Sequence, residues 1–306
     1  MNRYTLPYPD KELIKRIGCT KEELHLFKNV QSRALKEAQE YKQKFFAKHL
    51  KIIGISGSMR TTNDSAAEDS KTEWLLQQAL NKAKSLGAST ELIKLKDYKI
   101  MPCKGCYSTT NTQCHFLCSC YPQGKVGDDM TNKLYQKVLD ADGIIFATPV
   151  HNFKISSLMA LFLDRLISMD GSLSPADKDN PKDKELNIKH TKYIELTADD
   201  NIFGSGYLRR FIGKVGGIIV TAHEAGASLT ISSLYMTLNH FGMTFPPFSN
   251  MYATAGVLES TYTDTKKVEN EEYKKMTEEM ACNIITTIKM QKSNPKLFWT
   301  YDSHIN

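Results

Sequence analysis

The chain has 306 residues, 41% of them hydrophobic and 24% charged, with a formal net charge of +6. That length can bury one full core with extensions, and no run approaches the eighteen consecutive apolar residues of a membrane span. The charge gathers at the start, where residues 1–48 hold eleven Lys or Arg against six Asp or Glu; the amphipathic spacing there reads as solvated helix faces rather than a nucleic-acid surface.

The opening Met-Asn-Arg-Tyr-Thr-Leu-Pro lacks the apolar core of a secretory signal, so a cytoplasmic protein is expected. Asp10 can cap a short helix with Leu13, Ile14 and Ile17 on its apolar side, stopped by Gly18. Thr20 and Glu23 form a capping box. The helix it opens carries Leu24, Phe27, Ala34, Leu35, Ala38, Tyr41 and Phe45 at spacings of three and four. Residues 1–49 therefore read as a helical extension that packs on the main domain or on a partner subunit.

From residue 50 short β-branched runs alternate with helical stretches. Strands are expected over 51–56, 90–95, 143–147 and 215–221, and helices over 71–86, 132–140, 155–169 and 228–241. Continuous apolar strands such as Gly143-Ile-Ile-Phe-Ala147 are the kind buried on both faces, and the alternation indicates a parallel sheet covered by helices. Residues 171–189 interrupt this with a polar, aperiodic insertion. The main domain is read as 50–260. Beyond it, 261–306 holds a helix from Glu271 to Lys292 and an aromatic tail, Phe298-Trp-Thr-Tyr301, placed to dock on a neighbouring surface.

In a doubly wound sheet, ligands bind beyond the carboxyl ends of the strands. The first such turn is Gly54-Ile-Ser-Gly-Ser-Met-Arg60, followed by Asp69-Ser-Lys-Thr72 at the mouth of a helix. Ser58, Ser70 and Thr72 can donate hydrogen bonds to an anion and Arg60 can pair with it. The loop lacks Gly-Lys-Ser/Thr and Gly-x-Gly-x-x-Gly, so it is neither a P-loop nor a dinucleotide fingerprint. By spacing it is either a phosphate cradle or a plain turn rich in small residues.

Five of the seven cysteines fall within eighteen residues: Cys103, Cys106, Cys114, Cys118 and Cys120. In a reducing compartment such density means soft-ligand or redox chemistry. Three readings stay open. Four thiolates can hold a [4Fe–4S] cluster; two thiolate pairs, with or without His115, can hold zinc; or the loop 101–127 is a metal-free lid whose thiols pair on oxidation. Cys19 and Cys282 read as ordinary buried thiols.

Gly57-Ser-Met-Arg60, Ala147-Thr-Pro-Val-His151 and Leu163-Asp-Arg165 together resemble the motifs of the NADPH-dependent FMN reductase family. The start of the cysteine run, with Asp128-Asp-Met130 downstream, resembles the iron–sulfur flavoproteins within it. The resemblance spans about residues 50–245 and implies a flavodoxin-like α/β fold: a doubly wound parallel five-stranded sheet, here with helical extensions at both ends. It implies FMN, its phosphate held around Ser56, Ser58, Arg60, Ser70, Lys71 and Thr72. Thr148, Pro149, Val150, His151, Asn152 and Phe153 would border the ring, and the loop Ala222–Gly226, with His223 and Gly226, would close its other side. The sequence departs from the family at Met59, where proline is frequent, and at His151, where an aromatic residue is frequent. His151 is either a donor to ring or substrate or only a turn residue. Thr109 stands where the compact iron–sulfur pattern has a cysteine, leaving Cys114 and Cys118 or Cys120 to complete the set.

The function so implied is an FMN-dependent oxidoreductase. It would draw electrons from NAD(P)H or through the cysteine-bound cluster and pass them to a quinone, a nitro or azo compound, oxygen or flavin. No side chain need act as acid or base, because the flavin carries the chemistry. One alternative is an electron carrier between a ferredoxin-like donor and an acceptor, and another is a zinc-stapled binding module without flavin. The resemblance also implies a homo-dimer or homo-tetramer.

Overall fold

The computed structural model describes residues 4–45, 50–223, 226–255 and 264–294. The aromatic tail Phe298–Tyr301 lies outside them, as do Glu224 and Ala225 of the loop expected to close over the ring.

Among the described residues the sheet has five parallel strands. The apolar runs β1 (Lys51–Ser56), β3 (Gly143–His151) and β5 (Val215–Ala222) form its centre, with β2 (Ser89–Lys94) and β6 (Asn250–Thr254) at its edges. The order β2-β1-β3-β5-β6 is flavodoxin-like, with the reversal between β1 and β3. Register aligns Ser56 with both Lys94 and Ala147, and Pro149 with Thr221. The loops leaving β1, β3 and β5 therefore open at one end of the sheet.

Helices cover both faces. On one lie α4 (Tyr135–Asp140), α5 (Ser157–Leu166) and α7 (Ala227–His240), with Tyr135, Phe146, Phe162 and Leu234 buried between them and the sheet. On the other lie α3 (Lys71–Ser85) and α9 (Glu271–Ser293), contributing Leu75, Leu76, Ile284 and Ile288. The approach of α3 requires glycine in β1, since a Cβ on Gly54 would lie 2.8 Å from Leu76 Cδ1. A short helix, α8 (Asp264–Val268), precedes α9.

A third core lies away from the sheet. The helices α1 (Asp10–Ile17) and α2 (Lys21–Phe45) bury Leu13, Leu24, Phe27 and Val30 against α6 (Lys184–Thr197). Gly18 ends α1 in the left-handed conformation (φ 74°). The capping box forms as the sequence indicates: Glu23 N–H donates to Thr20 Oγ1 (3.1 Å) and Thr20 N–H to Glu23 Oε2 (2.7 Å).

Several elements differ from the sequence reading. Asp10, read as the cap of α1, is its first helical residue, and Pro9 takes the cap position. Residues 184–189, read as part of an aperiodic insertion, open α6, which Asp183 caps by accepting from Leu186 N–H (2.9 Å). Its inward stripe mixes Leu186, Tyr193 and Ile194 with buried Asn187, His190 and Thr197, so polar residues conceal the helical period. The strand expected at 143–147 runs on to His151 and turns back as β4 (Lys154–Ile155). The next helix therefore starts at Ser157 rather than 155, with Ser156 as its N-cap. Finally β6 is an edge strand that alternates exposed and buried residues over five positions, too short to announce itself.

Candidate functional site

The turn after β1 is shaped by what approaches it. A Cβ on Gly57 would fall 2.7 Å from Ser156 Oγ and 2.9 Å from Met159 Cβ, so glycine alone lets the start of α5 come this close. Ser156 Oγ donates to Gly57 O (2.7 Å) and fixes that contact. Within the turn, Ser58 N–H donates to Ser56 Oγ (3.2 Å) and Arg60 N–H to Ser58 Oγ (3.3 Å). Ser70 caps α3 by accepting from Glu73 N–H (3.2 Å), and the positive end of that helix faces the same space. Thr72 and Thr221 hydroxyls meet at 2.5 Å and tie α3 to β5.

Between these elements lies a cleft of about 630 Å³. Ser58, Arg60, Ser70, Lys71 and Thr72 line one wall, and Pro149, Val150, His151 and His223 line another. The remaining expected residues lie elsewhere. Ser56 and Thr148 are fully buried beneath the cleft, Ser56 donating to Glu73 Oε1 (3.2 Å) and Thr148 Oγ1 accepting from Ser156 N–H (3.1 Å). Asn152 and Phe153 form the exposed tip of the β3–β4 hairpin, with φ of 49° and 64°, the left-handed pair that a two-residue turn demands. Gly226 sits behind that tip: a Cβ there would meet Phe153 Cα at 3.0 Å.

Sequence reasoning missed the loop 61–69, which supplies Asp64, Ser65 and Ala66 to the cleft. Asp64 ties this loop together by accepting from Thr61 N–H (2.7 Å) and Ala66 N–H (2.9 Å); those bonds hold its carboxyl below the usual range. The loop ends on Glu68. One oxygen of its carboxylate, Oε2, lies 2.9 Å from Arg60 Nη1 and 3.0 Å from Lys71 Nζ. Two cations that line the cleft thus converge on a single carboxylate oxygen at its edge. The Asp/Ser signature of loop 61–69 was visible, but nothing in it pointed inward.

The five clustered cysteines line one pocket, beside Arg165 and Tyr135. Its free space is about 30 Å³, room for little more than ordered water. Cys106 and Cys120 Sγ are 3.2 Å apart. Burial pushes the Cys114 thiol up to about 12 and Cys120 up to about 11, and raises Cys118 against the opposing charge of Arg165. Among the described residues, no three His, Cys, Asp or Glu side chains are arranged around a point that one metal ion could occupy. A closed tetrahedral zinc site therefore does not fit this arrangement. Cluster ligands bind different irons and need not converge on one point, so the five thiols supply the donor chemistry of a cluster, while two sulfurs 3.2 Å apart and about 30 Å³ of space leave no room for one unless the loop opens.

The cysteine loop is pinned on three sides. Arg165 and Asp128, each 1% exposed, pair through Nη1–Oδ1 and Nη2–Oδ2 bonds of 2.9 Å. Arg165 also donates to Met101 O (2.7 Å) and lies over the Tyr121 ring at 4.6 Å. Burial alone would raise the Asp128 pKa; hydrogen bonds from Arg165, Met101 N–H and Thr131 outweigh it and hold the group below its usual value. On the outer side Thr112 donates to Asn187 O of α6, and Phe116 N–H donates to Leu173 O (3.0 Å). The helical core of α1, α2 and α6 thus backs the cysteine loop.

Residues 50–184 match the family described as NADPH-dependent FMN reductase. The chain is 33% identical over 118 residues to an iron-sulfur flavoprotein of Methanocaldococcus jannaschii, covering 38% of this chain and 51% of that protein. It is 33% identical over 115 residues to an iron-sulfur flavoprotein of Archaeoglobus fulgidus, covering 37% and 49%. The chain thus spans about half the length of the curated relatives it matches. Among solved structures, that of RosB with a bound 8-demethyl-8-formylriboflavin-5'-phosphate intermediate is similar with a TM-score of 0.56 at 18% identity, covering 80% of this chain and 81% of that one. That likeness bears on the fold. No described helix is long and apolar enough to cross a membrane.

Proposed function

We propose that this chain, whose residues 50–184 belong to the NADPH-dependent FMN reductase family, binds FMN in the cleft beyond β1, β3 and β5 and acts as a flavin-dependent oxidoreductase. The observation that carries this reading is the convergence of Arg60 and Lys71 on one carboxylate oxygen at the start of α3, an anion site at the switch point of the sheet.

Bound FMN would supply hydride and electron transfer between NAD(P)H and a small acceptor such as a quinone or a nitro compound. The chain's own residues bind and orient. Arg60, Lys71 and the α3 amides would neutralise the phosphate, with hydroxyls of Ser58, Ser70 and Thr72 around it. Pro149 and Val150 give the cleft an apolar wall that keeps water from the ring. His151, exposed at the rim beside them, is the side chain positioned to donate a hydrogen bond to ring or substrate.

A second reading, electron transfer through a cysteine-held [4Fe–4S] cluster from a ferredoxin-like donor, is favoured by the five thiols that share one pocket backed by the helical core. Cys103, Cys106, Cys114, Cys118 and Cys120 would provide four ligands and one spare.

The test is anaerobic purification followed by absorbance, flavin, iron and sulfide assays, then titration with NADH and NADPH. One FMN per chain, reduced by either nucleotide, supports the reductase reading. FMN with about four irons and four sulfides, inert to both nucleotides but reduced by a ferredoxin, supports the carrier. A colourless chain that takes up no FMN ends both.

A further inference from the structure

Loop 61–69 brings a carboxylate to the two cations at the edge of the cleft: Glu68 Oε2 is shared by Arg60 Nη1 at 2.9 Å and Lys71 Nζ at 3.0 Å. The Lys71 side chain is 10% exposed, that of Glu68 29% and that of Arg60 37%, so the triad is sheltered on its Lys71 side and open to solvent at Arg60. Glu68 is not there by accident of a floppy loop. Asp64 closes the preceding turn through two backbone N–H groups, and Lys96 Nζ donates to Arg60 O (2.7 Å) and fixes the backbone from the other side.

We propose that Glu68 is a built-in occupant of the phosphate subsite, an internal anion that an incoming phosphate monoester must displace, and that it thereby narrows the margin by which the cleft favours phosphorylated over unphosphorylated flavin. This rests on the reading of the cleft as an FMN site. A carboxylate and a phosphate dianion cannot share the same two cations, because like charges in contact in a partly dehydrated cleft repel strongly. A phosphate brings two charges and three acceptor oxygens against one charge and two oxygens, so it can win the exchange. The exchange still carries a cost that riboflavin, with no phosphate, does not meet. Glu68 therefore lowers FMN affinity and leaves riboflavin affinity alone. In the flavin-free chain it keeps two like charges, Arg60 and Lys71, compensated across the mouth of α3.

The experiment is a set of binding titrations on the full chain stripped of flavin: FMN, riboflavin and inorganic phosphate against wild type and Glu68→Gln. Glutamine keeps the shape and removes the charge. The expected result is FMN affinity about two- to fivefold higher in the variant, as expected for removal of one partly screened charge contact, with riboflavin unchanged. Weaker FMN binding in Glu68→Gln would mean that the carboxylate orients the cations for phosphate, and would overturn the proposal. An equal gain for FMN and riboflavin would overturn it too, pointing to loop loosening. If wild type takes up no FMN, the reading of the cleft fails separately. Inorganic phosphate then judges Glu68: tighter phosphate binding in the variant supports displacement, and unchanged binding rejects it.

Discussion

Arg165 and Asp128 face each other through two 2.9 Å hydrogen bonds at the bottom of the cysteine pocket, each with a side chain 1% exposed. Asp128 closes the cysteine loop and Arg165 lies in the last turn of α5, so this pair joins the loop to the α/β domain. Its aromatic bed, Tyr121 at 4.6 Å and Tyr135 at 6.0 Å from the guanidinium, keeps water away from both charges. Such a pair stabilises little on balance, but removing one partner leaves the other buried and uncompensated.

Arg165→Met is therefore expected to cost about 3–5 kcal/mol in urea unfolding at pH 7, and Arg165→Met with Asp128→Leu to recover only part of it, because Met101 N–H and Thr131 then lose their acceptor. Thiol labelling of the metal-free protein should accelerate in the single variant, because the loop loses its anchor. A single variant as stable as wild type would show the pair to be idle.

Lys214 predicts a stability that rises with pH above neutrality, beyond the range in which carboxylates titrate. Its ammonium is buried, donating to Leu139 O (2.9 Å) and Ala141 O (2.6 Å), and burial pushes its pKa down to about 7 against the pull of Asp142 and Asp140. The unfolded chain keeps that proton until about pH 10. Between these values the unfolded state binds more protons than the folded one, so stability rises with pH through the window. Below pH 7 both states are charged and the slope vanishes. Urea midpoints from pH 7 to 9.5 should climb in wild type, by at most about 1.4 kcal/mol per pH unit, and lose that rise in Lys214→Met.

At the cleft, Gly57→Ala is expected to destabilise the fold by about 1–3 kcal/mol. The new methyl would meet Ser156 Oγ and Met159 Cβ, both held in place by the N-terminus of α5. FMN affinity should fall with it, since the turn that presents Ser58 and Arg60 must shift. Gly105→Ala is the control of another kind: its site has open space but φ of 65°, so it should cost about 1 kcal/mol from strain alone and leave FMN affinity unchanged.

Cys106 and Cys120, with sulfurs 3.2 Å apart, are the pair expected to join when metal-free protein is oxidised by a small disulfide. Both thiols lose a proton and together give up two electrons to the reagent. Peptide mapping should find the 106–120 bridge in preference to any bridge to Cys114, whose thiol burial holds protonated up to about 12. A bridge to Cys114 formed first would contradict this.

How much of this was legible in the sequence follows from what writes a signal. The central strands β1, β3 and β5 are apolar on both faces and declare themselves as unbroken runs. The inward side of α6 does not, because its buried Asn187, His190 and Thr197 look like surface residues until Thr112, Phe27 and Tyr193 are seen against them. The cleft was legible as a set of small and hydroxyl residues in one turn, since that composition reports close backbone approach. Glu68 was not, because an acid in a polar loop carries no sign of which way it turns. Both Leu163-Asp-Arg165 and Asp128-Asp-Met130 stood out as motifs, yet their union across 37 positions exists only in three dimensions.

The closure of the cysteine loop has an evolutionary meaning. Met101 N–H and Asp128 Oδ1 are 27 positions apart in sequence and 2.9 Å apart in space, so the segment leaves the domain and returns to it at nearly the same point. Whatever lies between those two residues can be lengthened, shortened or given different ligands without asking the sheet to adjust. The cysteine loop is in this sense a cartridge in an α/β scaffold. The helices that back it in this chain read as a housing fitted to one particular cartridge.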